Sequence, residues 1–138
     1  MQFTQEEIRM LSTAKQIQDL AEFNQGDWVL RKSDNGVELL TMFYVKLLDP
    51  QKGNRLRRYR DRFSWLALPH QLLEIYCEIK KCNNFDALFN LSESDEEKSG
   101  YRCTDLIFLS FTQLILLFVM DTCFGMVWDF EEKEWREK

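Results

Sequence analysis

Five arginines crowd into the ten residues from Asn54 to Phe63: Arg55, Arg57, Arg58, Arg60 and Arg62, with Leu56, Tyr59 and Phe63 between them. In an extended chain Arg55, Arg57 and Tyr59 share a face, because side chains alternate with a period of two. Guanidinium groups interleaved with aromatic rings can grip phosphates and stack on bases. They can also meet an acidic protein surface, where arginine and aromatic residues carry much of the binding energy. A third use is internal, by pairing with the acidic stretch that holds Glu93, Asp95, Glu96 and Glu97 or with the acidic tail from Glu131 to Glu134. The acidic stretch could itself imitate a phosphate backbone on a basic partner; its composition alone describes a solvated linker. These ten residues, Arg55, Arg57, Arg58, Tyr59, Arg60, Arg62, Glu93, Asp95, Glu96 and Glu97, are the candidate partner-binding residues.

Catalytic patterns are missing. His70 is the one histidine, and nothing fixes a serine or cysteine nucleophile and an orienting carboxylate beside it. Cys77, Cys82, Cys103 and Cys123 form no Cys-x-x-Cys pair, and residues five apart on one continuous helix point about 140° away from each other. No compact zinc spacing occurs, and the five glycines are scattered turn residues without a phosphate loop. The expectation is a non-enzymatic protein that uses no metal or cofactor, its cysteines reduced and buried as small hydrophobes.

The elements that must position these residues follow from composition and pattern. A chain of 138 residues has room for one domain, and 45% hydrophobic with 14% aromatic content excludes disorder. The net charge of −5 argues against a general nucleic-acid binder but leaves room for a local basic patch. No signal-peptide pattern opens the chain, so a cytoplasmic location is expected.

The dominant stretch is Leu106 to Trp128. Ser110 with Gln113 forms a capping box and Gly125 a left-handed stop, which predicts a helix over Phe111 to Phe124. One face carries Phe111, Leu114, Ile115, Phe118 and Val119; Leu116, Leu117, Met120 and Cys123 carry apolar character round the other side, so the helix must be covered on more than one side. It is shorter than the roughly 20 residues of a membrane span. A homodimer is one way to cover it.

Elsewhere, Thr4 with Glu7 predicts a helix to about Phe23, closed by Asn24-Gln25-Gly26. Strands are predicted over Asp27 to Lys32 and Val37 to Leu48, joined at Asp34-Asn35-Gly36 with positive φ at Asn and Gly, and covered on both faces near the middle. A third strand is predicted over Arg58 to Leu66. Pro69 starts a helix whose buried face is Leu72, Leu73, Ile75, Tyr76 and Ile79. A short helix from Phe85 to Asn90 follows, then a mobile acidic loop from Leu91 to Gly100. Met126 to Asp129 with Glu134-Trp135 suits a terminal hairpin in which the tryptophans close the core.

The expected fold is one α+β domain over 1–138, a small antiparallel sheet packed with three main helices. Its segments are the first helix (1–25), the sheet (26–67), the middle helices (68–90), the acidic loop (91–100), and the buried helix with its hairpin (101–138).

Three passages stand out: Gly26-Asp27-Trp28-Val29-Leu30; Trp65-Leu66-Ala67-Leu68-Pro69-His70-Gln71-Leu72; and Ser110 to Leu114 with Phe118-Val119-Met120, Phe124 to Asp129 and Trp135. Together they resemble small bacteriophage- and prophage-encoded proteins that carry a tryptophan-leucine-proline helix start and a closing helix ending in valine-tryptophan-aspartate. Here Ala67-Leu68 stands between the Trp-Leu and the Pro. The resemblance implies a mobile-element protein that binds and disables a host protein or ribonucleoprotein in the host cytosol, including bacterial immune nucleases as anti-CRISPR proteins do. It supplies no catalytic residues. The other expectation is a nucleic-acid-binding module using the Arg55 to Arg62 cluster.

Overall fold

A computed structural model describes residues 3–40, 59–92, 101 and 103–138. The class is α+β, with a small three-stranded antiparallel sheet and several helices. Two compact units divide the chain, Met1–Ala67 and Leu68–Lys138.

In the first unit, helix α1 (Gln5–Thr13) opens with the expected reciprocal cap: Glu7 N–H donates to Thr4 Oγ1 at 3.1 Å and Thr4 N–H to Glu7 Oε1 at 3.0 Å. It does not continue to Phe23. Ala14 leaves helical geometry (φ −77°, ψ 83°), and a second short helix, α2 (Lys15–Asp19), starts after it. The cause is local competition. The Thr13 and Ser12 hydroxyls donate back to Arg9 O at 2.6 and 3.4 Å, and serine and threonine that bond the preceding turn weaken a helix.

Strands β1 (Trp28–Arg31), β2 (Val37–Leu39) and β3 (Phe63–Trp65) form the sheet in the order β2-β1-β3. Val29 lies opposite Glu38 on one side and Trp65 on the other. In the hairpin turn only Asn35 has positive φ (59°), so Gly36 is not the left-handed residue expected of it. A β-carbon at Gly36 would instead collide with the Arg31 guanidinium. Val37 and Leu39 are exposed, whereas Leu30, which lies opposite Val37, is buried; the expected continuation of β2 and its covering lie outside the described residues.

The third strand is shorter than expected, because residues 59–62 are helical and pairing begins only at Phe63. Met10, Leu11, Ile17, Val29, Tyr59 and Leu66 are completely buried and form the centre of this unit.

Antiparallel pairing with β1 aims the backbone groups of Ser64 inward and those of Trp65 at the opposite edge. Gln18 occupies that edge. Its Oε1 accepts Trp65 N–H at 2.7 Å, and its Nε2 donates to Trp65 O at 2.8 Å and Leu11 O at 2.9 Å. One side-chain amide thus substitutes for a neighbouring strand and also gives Leu11 O a second donor beside the Ala14 N–H.

In the second unit, α3 (Pro69–Lys80) has proline in its first turn, and Leu68 N–H donates to Gln71 Oε1 at 2.8 Å. Leu72, Leu73, Ile75 and Tyr76 are buried as expected, but Ile79 is exposed. Helix α4 (Asn84–Ser92) extends into the segment expected to be loop, and Asn90 Nδ2 donates to Tyr76 Oη at 3.0 Å. A one-turn helix, α5 (Cys103–Leu106), precedes α6 (Phe111–Phe124), whose ends are those the residues predict. Gln113 N–H donates to Ser110 Oγ at 3.2 Å, Ser110 N–H to Gln113 Oε1 at 2.8 Å, and Gly125 takes φ 64°.

Helix α6 packs against α3, with the Tyr76 and Phe118 rings 5.0 Å apart. Ile115, Leu116, Leu117, Val119 and Met120 are buried, whereas Phe111, expected on the buried face, is exposed. Strands β4 (Met126–Asp129) and β5 (Glu134–Glu137) form the expected terminal hairpin. Trp128 lies opposite Trp135 with ring centres 5.1 Å apart, edge to face. Trp128 N–H donates to Tyr101 Oη at 2.7 Å. Burial pushes the Tyr101 phenol up to about 12, beyond what the Trp128 N–H offsets, and Asp121 adds to the rise.

Candidate functional site

Of the ten candidate partner-binding residues, Arg55, Arg57, Arg58, Glu93, Asp95, Glu96 and Glu97 lie outside the described residues. The remaining three do not present one shared face. Tyr59 begins the helical stretch 59–62, and its side chain is completely buried. Its ring stacks on Phe23 at 5.5 Å and lies 6.0 Å from Phe63. The expected outward ring that would stack on a base or a partner side chain is therefore a core residue here.

Arg60 is exposed and anchored at the end of α2: its Nη2 donates to Asp19 O at 2.7 Å, where a cation suits a helix C-terminus. Its own carbonyl accepts Lys32 Nζ at 2.6 Å. Arg62 is exposed, with its carbonyl paired to Lys32 N–H in the sheet at 2.9 Å.

In the acidic tail, Asp129 and Glu134 pair with Arg136 at 3.2 and 3.1 Å. The Glu132 and Glu131 backbone N–H groups, with Arg136, hold the Asp129 carboxyl below its usual range. That arrangement builds the β4–β5 turn.

The most conspicuous surface of the second unit was not singled out in the sequence. Helix α4 carries Phe85, Leu88 and Phe89 exposed at positions i, i+3 and i+4, on the side away from the completely buried Ala87. Ile107 and Phe108 follow α5, Phe111 opens α6, and all three are exposed, Phe108 at 90%. The exposed side chains Asp86 and Thr104 and the half-buried Asp105 lie among them in the sequence. The available signal was the cap itself. Ser110 as the residue before α6 puts Ile107 and Phe108 outside the helix, where its buried stripe gives them no partner.

His70 is exposed in the first turn of α3. Among the described residues no group of three or more His, Cys, Asp or Glu side chains could hold a metal ion, and no helix is long and apolar enough to cross a membrane. No protein-family model, curated protein or solved structure matches the chain. The likeness to phage-encoded proteins therefore rests on the quoted sequence passages alone.

Proposed function

We propose that this chain is a non-enzymatic protein that binds and inhibits a host protein in the cytosol, in the manner of phage-encoded proteins that disable bacterial defence nucleases, the anti-CRISPR proteins among them. The observation that supports this reading is the set of exposed apolar side chains on the second unit, Phe85, Leu88, Phe89, Ile107, Phe108 and Phe111. Covering one such aromatic side chain stabilises a complex by about 1.5–3 kcal/mol, and aromatic anchors dominate binding energy in interfaces. The occupant is a protein surface with an apolar groove and a basic rim, because Asp86 and Asp105 border these residues and the chain carries a net charge of −5. The resemblance to phage proteins directs the choice of partner to a defence nuclease complex.

The test compares the wild-type chain with a Phe85→Ser, Phe89→Ser double variant and with Phe108→Ser, each verified as folded by circular dichroism. Expected is a host partner held stoichiometrically and inhibited by the wild type, with affinity reduced ~30-fold or more in the variants. Arg60→Glu with Arg62→Glu leaves that affinity within a factor of a few. Three outcomes overturn the reading: undiminished binding by the phenylalanine variants; a dimer in light scattering that the variants dissociate; or a DNA or RNA shift at low salt that disappears with rising ionic strength and with the arginine variant.

A further inference from the structure

The C-terminal end of α3 brings together two cysteines that a continuous helix would keep apart. Lys81 turns left-handed (φ 53°, ψ 52°), and the N–H groups of both Lys81 and Cys82 donate to Cys77 O, the latter at 3.1 Å. This closes the chain back on itself, in the arrangement that frequently brings the flanking side chains, here Cys77 and Cys82, together, and Cys82 is among the groups that act on the Cys77 thiol. The separation of about 140° that a spacing of five implies on an uninterrupted helix is thereby removed. Both thiols are free and, like that of Cys123, partly exposed instead of buried as expected, because Cys77 and Cys82 sit at the end of α3 beside the exposed turn.

We propose that Cys77 and Cys82 form a dithiol site that is converted into an intramolecular disulfide by exchange with a low-molecular-weight disulfide of the glutathione type. The Cys82 thiolate attacks one sulfur of the small disulfide, forming a mixed disulfide and releasing the first small thiol. Cys77 then gives up its proton and attacks the Cys82 sulfur, which releases the second. One small disulfide is reduced to two thiols, and the two protein thiols are oxidised to one disulfide.

The surroundings assign these roles. Burial, direct interaction with Cys82, and the carboxylates of Asp86 and Glu74 all push the Cys77 thiol up, which suits it to the second, intramolecular step. The left-handed turn at Lys81 holds the two residues close in the fold, and that preorganisation favours the oxidised pair over the unfolded chain. Cys77 Sγ also donates to Asn84 Oδ1 at 3.4 Å. Oxidation removes that donor from the Asn84 side chain at the start of α4, the helix carrying Phe85, Leu88 and Phe89. Cys123 on α6 is the competing thiol, since it feels both Lys80 and Cys82; burial pushes it up too.

The probe is oxidised glutathione with the full chain, read by free-thiol count and peptide mapping. Wild type and Cys123→Ser are expected to lose two titratable thiols, retain no glutathione, and yield a Cys77–Cys82 cross-linked peptide. Cys77→Ser is expected to hold glutathione on Cys82. The glutathione equilibrium for the pair should lie at least ~tenfold further toward the disulfide in the folded chain than in urea. The proposal is overturned by glutathione retained on wild-type Cys77 or Cys82, by cross-links to Cys103 or Cys123, by no loss of thiols, or by an equilibrium that the fold shifts toward the dithiol.

Discussion

Gln18→Leu removes the amide that seals the free edge of β3 while keeping much of the side-chain volume. Three hydrogen bonds disappear, those to Trp65 N–H, Trp65 O and Leu11 O. Each is partly buried, and a bond of this kind contributes about 0.5–1.5 kcal/mol, more when a desolvated partner stays unpaired. The expected loss is about 2–4 kcal/mol, which a urea slope of about 2 kcal/mol per molar turns into a midpoint lowered by roughly 1–2 M. Tryptophan fluorescence reports the transition, because Trp28 and Trp65 both lie in this sheet. Amide exchange gives the local reading: Trp65 N–H should lose protection well beyond that of Leu66 N–H, which donates to Trp28 O and keeps its partner. Gln18→Glu should not rescue, since it retains an acceptor for Trp65 N–H but places an anion against two carbonyls. A loss below about 0.5 kcal/mol, with unchanged Trp65 exchange, would refute the assignment of Gln18 as a substitute strand.

Gly125→Ala forces a β-carbon into the left-handed region at φ 64° and should cost about 1 kcal/mol in thermal or urea unfolding, although space around the position is open. Ser110→Ala removes the acceptor for Gln113 N–H and should cost about 1 kcal/mol by the same assay. The Asp129 carboxyl, held down by backbone N–H groups and Arg136, should titrate below the ordinary aspartate range in a carbon-detected NMR titration. Its contribution to stability is full above the unfolded value and fades as pH falls through the folded one; Asp129→Asn should flatten that part of the acid profile. Tyr101 works in the opposite direction: a phenol raised from 10.0 to about 12 stays neutral in the fold while the unfolded chain ionises. Stability should therefore decline between those values, and Tyr101→Phe should remove that slope while costing Trp128 N–H its acceptor.

Local backbone chemistry was legible in the residues. The reciprocal caps at Thr4/Glu7 and Ser110/Gln113, the proline that opens α3, the Gly125 stop and the hairpin that pairs Trp128 with Trp135 each depend on a few neighbouring positions. Features set from a distance were not. The break at Ala14 joins a weak local signal, Ser12-Thr13, to a glutamine bound 47 residues away at Trp65. The side of α6 that is buried depends on α3, so a wheel that is apolar all round could not show that Phe111 faces out. Tyr59 looked like part of a basic, extended patch because alternation was applied to a segment that is helical at 59–62. Lys81 gives no compositional hint of left-handed geometry, and without that turn Cys82 cannot be placed beside Cys77. The exposed aromatic residues of α4 were within a predicted helix, yet their lack of a covering neighbour is a property of the folded unit.

Between α6 and β4 there is a single residue, Gly125, and no loop. One residue inserted before it would swing the hairpin about 100° around the helix axis, and one inserted within β4 would send the Trp128 indole to the opposite side of its strand. Either change separates the indole from its seat while leaving composition almost untouched. The joint at Gly125 is thus a ruler: the number of residues between the end of α6 and Trp128 sets the direction in which the indole leaves the helix.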